Sequence, residues 1–273
     1  MIGRMVLALG LVLCAGLARA GCVGAEAPCE TAMGTYHIAL PEGDGPFPVL
    51  VFLHGYGGSG EGTMRQFAGL TARGYAVIGP DGLPRPGGTR RGWSFHPLRE
   101  AQRDETAFLR GAIADAADRF GVDPSRVLLA GFSIGGSMAS YLACSDPDIA
   151  AAYAPVAGSF WRPHPALDAC KGPVRLLHTH GWRDGTVPLE GRPLRGGAIE
   201  QGDVFHAMQV WRETNGCDGR KATEFSTDEA FWRRRWTECR VGTLELVLHP
   251  GGHGTPVGWA DMALAWFEGL PVE

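Results

Sequence analysis

Lysine is almost missing from this chain. Of 25 basic residues only Lys171 and Lys221 are lysines, and 29 acidic residues leave a formal charge of −4. An acidic balance offers no phosphate-seeking surface, which sets nucleic acid aside as a partner. Long apolar runs are scarce too: the stretch at residues 6–18 falls short of the roughly 20 residues that span a bilayer. There is no internal repeat and no low-complexity tract. No C-x-x-C pair suggests a zinc or redox site.

What the apolar stretch does fit is a removable address. Arg4 precedes it, and Ala18-Arg19-Ala20 supplies a small-x-small cleavage site. The expectation is a signal peptide over residues 1–20 and one domain over 21–273. Such a protein is secreted or periplasmic, free of the membrane once processed, and monomeric; an uncleaved anchor is the rival reading. Cleavage removes Cys14 and leaves an even set at Cys22, Cys29, Cys144, Cys170, Cys217 and Cys239, as suits an oxidising compartment. Six cysteines allow many pairings, but these fall into neighbouring couples, which favours 22 with 29, 144 with 170 and 217 with 239. Buried free thiols are the alternative.

Apolar runs broken by Gly and Pro predict strands at Tyr36–Leu40, Val49–His54, Tyr75–Pro80, Arg126–Ala130, Ala150–Val156, Val174–His180 and Thr243–His249. Several are apolar at every position, as parallel strands covered on both faces are. Helical spacing over Thr106–Phe120 lines up Phe108, Leu109, Ala112, Ile113, Ala116 and Phe120, and a second pattern runs through Val204, Phe205, Met208 and Trp211. Strand and helix therefore alternate, which gives an α/β fold with a mainly parallel sheet and helices on both faces. In such folds ligands bind beyond the carboxyl ends of the strands, and chemistry is sought there.

Gly131-Phe132-Ser133-Ile134-Gly135 matches G-x-S-x-G. In a chain with 41 glycines the string alone is weak, but context strengthens it. Val127-Leu128-Leu129-Ala130 before it reads as a buried strand, and Ser137 to Leu142 after it as a buried helix. Strand, sharp turn and helix make a nucleophile elbow, with Ser133 lifted above the sheet. A serine hydroxyl needs a base to take its proton and an acid to orient that base. On an α/β-hydrolase these follow in the order Ser, acid, His. Asp184 comes just after the strand at Val174–His180, with Asp168 and Asp203 as weaker candidates; the bland reading is a turn cap before Gly185. His253, in Pro250-Gly251-Gly252-His253-Gly254, follows the last predicted strand, with His249 in reserve. The glycine-rich stretch His54-Gly55-Tyr56-Gly57-Gly58 ends an earlier strand, so the Tyr56 and Ile134 N–H groups are the candidate oxyanion donors.

Three rival patterns compete. Gly55, Gly57 and Gly60, with Asp81 at the end of the next strand, satisfy a dinucleotide fingerprint, but an exported protein does not meet that cofactor. His178 and His180 have ligand character without a third partner, which argues against zinc. Arg233-Arg234-Arg235 reads as a solvated strand or loop rather than a binding patch.

Taken together, His54-Gly55-Tyr56-Gly57-Gly58, Gly131 to Gly136, His180-Gly181 with Asp184 and Val187-Pro188, and Gly251-Gly252-His253 resemble the polyhydroxybutyrate depolymerase-like esterases, relatives of feruloyl and acetylxylan esterases among the α/β-hydrolases. The resemblance runs from about Tyr36 to Phe267. It implies an exported, cofactor-free carboxylic ester hydrolase with Ser133, Asp184 and His253 as its triad. Trp259 stands further from His253 than the corresponding tryptophan of the relatives. No polymer-binding stretch is recognisable, so soluble esters or oligomers are the expected substrates. A peptidase or amide hydrolase on the same fold is the runner-up, and a ligand-binding protein without turnover the alternative of another class. Trp93 and Trp182, in loops that follow strands, are expected to wall the acyl pocket.

Overall fold

The computed structural model describes residues 22–228 and 230–270, so the leader and the start at Gly21 lie outside the described residues. The chain runs β1 (Gly24–Thr31), β2 (Gly34–Ala39), β3 (Phe47–Leu53), α1 (Gly60–Phe67) and β4 (Ala76–Pro80). A short hairpin, β5 (Leu83–Pro84) and β6 (Arg91–Gly92), leads to α2 (Glu105–Phe120), β7 (Val122–Phe132), α3 (Ile134–Ser145), β8 (Ala152–Val156) and β9 (Arg175–Gly181). A second hairpin, β10 (Pro193–Leu194) and β11 (Ile199–Glu200), precedes α4 (Val204–Asn215), β12 (Glu224–Thr227), β13 (Trp232–Trp236), β14 (Thr243–His249) and α5 (Trp259–Glu268).

Ten strands join in the order β1-β2-β4-β3-β7-β8-β9-β14-β13-β12. From β4 to β14 all neighbours are parallel, and antiparallel strands close both edges. All seven residues of β3 are buried. Because side chains alternate along a strand, Val49, Val51 and Leu53 enter one apolar layer while Leu50 and Phe52 enter the other. The first layer packs α2, α3 and α4 through Phe108, Leu142 and Trp211. The second packs α1 and α5, where Phe52 touches Phe67 and Trp259 at ring distances of 4.5 and 5.6 Å. Truncating such a side chain costs about 3–5 kcal/mol, so the sheet is clamped where the central loops emerge.

Caps mark the helix ends. Ser59, Asp104 and Asp203 accept first-turn N–H groups of α1, α2 and α4. Gly121 ends α2 in the left-handed region at φ 69°. The three expected disulfides are all present: Cys22–Cys29, Cys144–Cys170 and Cys217–Cys239. The arginine run is a strand, as one of the two expected forms, with part-exposed arginines. It forms β13, paired with β14, and Arg233 and Arg235 both bind the fully buried carboxylate of Glu245, the latter at 2.9 Å. No helix among the described residues is long and apolar enough to cross a membrane.

Candidate active site

The elbow between β7 and α3 can form only with small residues at its base. A Cβ on Gly131 would lie 2.5 Å from the Gly135 carbonyl carbon, and one on Gly135 would lie 2.1 Å from Leu53 O. Ser133 itself holds φ 57° and ψ −120°. Only a turn fixed from both sides sustains that conformation in a residue with a side chain. Ser133 N–H donates to Val156 O at 2.9 Å, and its carbonyl accepts the Ser137 N–H at 2.9 Å.

Three parallel strands then deliver three side chains to one point. His253, in the loop after β14, places Nε2 2.9 Å from Ser133 Oγ and Nδ1 2.7 Å from Asp184 Oδ2. Phe132 lies against the imidazole with ring centres 4.7 Å apart. Asp184 follows β9, and its two oxygens divide the work. Oδ1 accepts the Thr186 and Val187 N–H groups at 2.9 and 2.8 Å, and Oδ2 faces His253. One carboxylate thus caps the turn through Oδ1 and faces His253 through Oδ2. Burial alone would raise the Asp184 carboxyl, but His253, the Val187 N–H and His180 together hold it below its ordinary value. It stays ionised opposite an imidazole, which keeps the Nδ1 proton directed at Oδ2.

The glycine-rich loop after β3 is held at both ends. His54 Nε2 accepts the Gly82 N–H at 3.0 Å, which puts its proton on Nδ1, 2.7 Å from Gly55 O. Burial depresses the His54 pKa and keeps the ring neutral. At the far end Asp81 Oδ1 accepts the Gly60 N–H at 2.9 Å and Oδ2 the Thr35 hydroxyl at 3.0 Å. Tyr56 lies in this loop, between the Gly55 carbonyl and Gly57, whose N–H is bound to Arg91 O. Ile134 begins α3, where first-turn N–H groups have no acceptor within the helix.

The rival patterns resolve into structure. Asp81 is buried and committed to Gly60 and Thr35, so it is not presented to a ribose. His178 and His180 stack in the core, 3.1 Å apart through Nε2 and Nδ1, and His180 Nε2 lies 2.7 Å from Val187 O. Asp203 caps α4, Asp168 is exposed, and His249 Nδ1 accepts the Gly251 N–H. Trp93 is buried with its indole N–H on His54 O at 2.9 Å, so it buttresses the glycine-rich loop rather than standing open as a wall. Trp182 is 56% exposed and meets Trp232 edge-on at 6.2 Å. Trp259 is core, its indole N–H on Thr179 Oγ1. Sequence reasoning did not foresee the grip of His54 on Gly82 or of Trp93 on His54, because nothing local marks a bond that spans 28 or 39 residues.

Residues 48–201 match the α/β-hydrolase fold family. NocK of Nocardia uniformis subsp. tsuyamanensis, assigned as an esterase, is 37% identical over 242 residues, 81% of this chain and 68% of that protein. Feruloyl esterase B of Piromyces equi is 30% identical over 231 residues, 80% of this chain but 42% of that longer protein. Among solved structures, the acetyl xylan esterase of Aspergillus awamori superposes with a TM-score of 0.64 at 17% identity, covering 86% of this chain and 93% of that one. Fold, elbow and sequence agree that the chain belongs to the α/β-hydrolase fold family.

Proposed function

We propose that this protein is an exported serine esterase that hydrolyses carboxylic esters through an acyl-enzyme. The observation that carries the reading is the continuous chain from Ser133 Oγ through His253 to Asp184, at 2.9 and 2.7 Å, on a strained elbow. Ser133 attacks the ester carbonyl as His253 Nε2 takes its proton. The same proton returns to the leaving alkoxide, while Asp184 steadies the imidazolium. The Ile134 and Tyr56 N–H groups receive the oxyanion, each worth on the order of 3 kcal/mol in the transition state. Water, activated by His253, then attacks the acyl-enzyme and releases the acid. No cofactor enters any step.

Relatives designated esterases, among them feruloyl esterases, support an ester over an amide as substrate. Small soluble feruloyl, acetyl or hydroxybutyrate-oligomer esters are the class to test first. Three disulfides support an oxidising destination, secreted or periplasmic, in accord with the leader at residues 1–20. A monomer that engages neither membrane nor nucleic acid suffices for this chemistry. The deciding experiment compares p-nitrophenyl acetate with a peptide p-nitroanilide on the mature protein and on Ser133→Ala. Turnover of the ester, absent in Ser133→Ala, supports the reading. A faster anilide would make the protein an amide hydrolase instead.

A further inference from the structure

One pocket is lined by none of the triad residues. It encloses about 250 Å³ between the β5–β6 hairpin, the loop that follows it, and the segments carrying Trp161 and Ile199. Its floor is aromatic: Trp93, Phe95 and Trp161, with Phe95 5.8 Å from Trp161 ring to ring. Two hydrogen bonds fix that floor to the catalytic segments. The Trp93 indole N–H is held by His54 O, two residues before Tyr56, and the Trp161 indole N–H by Ser137 Oγ, one helical turn after Ser133. The pocket floor is thus tied through its two indoles to the segments that carry Tyr56 and Ser133.

The rim is cationic. Arg85 and Arg99 line it, and Arg90 and Arg195 stand nearby. Glu100 is a carboxylate on the same rim, yet none of these arginines has a carboxylate within ion-pair distance among the described residues. Arg85 is half-buried over the Tyr56 ring at 5.1 Å, and its Nε would lie 2.7 Å from any Cβ on Gly92, so glycine there gives the guanidinium its place. Burial lowers its pKa; Tyr56 offsets part of that, and Arg99 and Arg195 push it down again. His96 packs its ring 5.2 Å from Trp161, and its Nδ1 accepts the Leu98 N–H at 3.1 Å. Aromatic walls with unpaired guanidinium groups are what a ring bearing a carboxylate would satisfy.

We propose that this pocket is a subsite for a carboxylate-bearing ring on one side of the scissile ester, which makes anionic aromatic esters the preferred substrates. The proposal rests on the ester-hydrolase reading. Two matched pairs test it on the mature protein at low ionic strength: 4-acetoxybenzoate against 4-acetoxybenzamide for the alcohol side, and methyl 4-carboxycinnamate against methyl 4-carbamoylcinnamate for the acyl side. Within each pair the ring and the ester are shared, and a neutral amide replaces the carboxylate; the arginine variants control for their different intrinsic reactivity. The expected result is a kcat/KM ratio of about tenfold or more for the anion in one pair, the scale of one charge-assisted contact. That ratio should fall to about one in Arg85→Gln/Arg99→Gln and partway in the exposed Arg99→Gln alone. Ratios near one for both pairs, or a preference that survives the double substitution, would overturn it. Should none of the four esters turn over above the Ser133→Ala background, the hydrolase reading is what fails, and calorimetric binding of 4-hydroxybenzoate then decides the pocket. Saturable binding that Arg85→Gln/Arg99→Gln abolishes supports the subsite; absence of binding overturns it.

Discussion

Two buried aspartates stand at the carboxyl ends of parallel strands in this protein, each with a histidine in reach. Asp81 follows β4 with His37 Nε2 at 3.6 Å; Asp184 follows β9 with His253 Nδ1 at 2.7 Å. Both carboxylates also accept backbone N–H groups, and both are pulled below the ordinary carboxylate value against the cost of burial. What separates them is the far side of the imidazole. His253 presents Nε2 to Ser133, whereas His37 Nδ1 is buried with no partner. A depressed carboxyl beside a histidine is thus not by itself a mark of catalysis. The second nitrogen must face a group that can react.

Alanine at Ser133 or at His253 tests the reactive member hardest. Each should lower kcat by on the order of 10⁵-fold, with the double variant little worse than either, because the groups act as a unit. Additive losses in steady-state assays would break the assignment. Next comes the direct contrast of the aspartates. Asp184→Asn is expected to cost roughly 10³–10⁴ in kcat, since the amide no longer selects the imidazole tautomer that bonds Ser133. Asp81→Asn should leave kcat within about tenfold and instead lower stability by roughly 2–3 kcal/mol, through weakened anchoring of Gly60 and Thr35. Equal effects of the two on both readouts would erase the distinction.

A third experiment separates them by pH. Asp81 is held at about 2, below the ordinary carboxylate value of 3.8: burial works against this, and His37, the Gly60 N–H, Arg91 and Thr35 outweigh it. A depressed folded pKa contributes stability that is complete above about pH 4 and is lost as pH falls toward 2; the amount is about 2 kcal/mol. Chemical denaturation at pH 5 and pH 2 should show that loss in the parent. In Asp81→Asn the pH-linked loss should be smaller by the same amount.

The same contrast explains what could be read in advance. Asp184 and His253 were legible as candidates because chain order and strand ends constrain such a set, and β3 and the Val127–Ala130 half of β7 because parallel strands covered on both faces are apolar there; the polar start of β7 at Asp123 to Arg126 gave no such signal. Asp81 invites a cofactor reading, since twenty-one residues from Gly60 is also the spacing of a ribose-binding acid. Only the hydrogen bond to Gly60 shows that the spacing serves to close a loop. At β13 the sequence left strand and loop both open. Its Trp-Arg-Arg-Arg-Trp sequence shows no apolar alternation, because Arg233 and Arg235 are satisfied by Glu245 on the neighbouring strand. β1 is too polar to announce itself, and it is paired to β2 and fastened by Cys22–Cys29.

The smallest effect is expected at His37, when it and His253 are each replaced with glutamine. Glutamine can still donate an N–H to a carboxylate but cannot accept and return a proton at neutral pH. At His37 donation toward Asp81 is the only role the geometry requires, so His37→Gln should keep kcat within about twofold and cost about 1 kcal/mol or less. It should also move the Asp81-linked step of acid unfolding upward by about half a pH unit, since one of the groups that favour the charged carboxyl is weakened. At His253 the same substitution should be nearly as damaging as alanine, because the proton transfer to and from Ser133 is lost even if the contact to Asp184 survives. Measured side by side, kcat and the acid midpoint should respond in opposite ways in the two variants. A large kcat loss in His37→Gln would mean that the clamp formed by Asp81 and Gly60 sets the position of the Tyr56 N–H, and that the two aspartates serve one site.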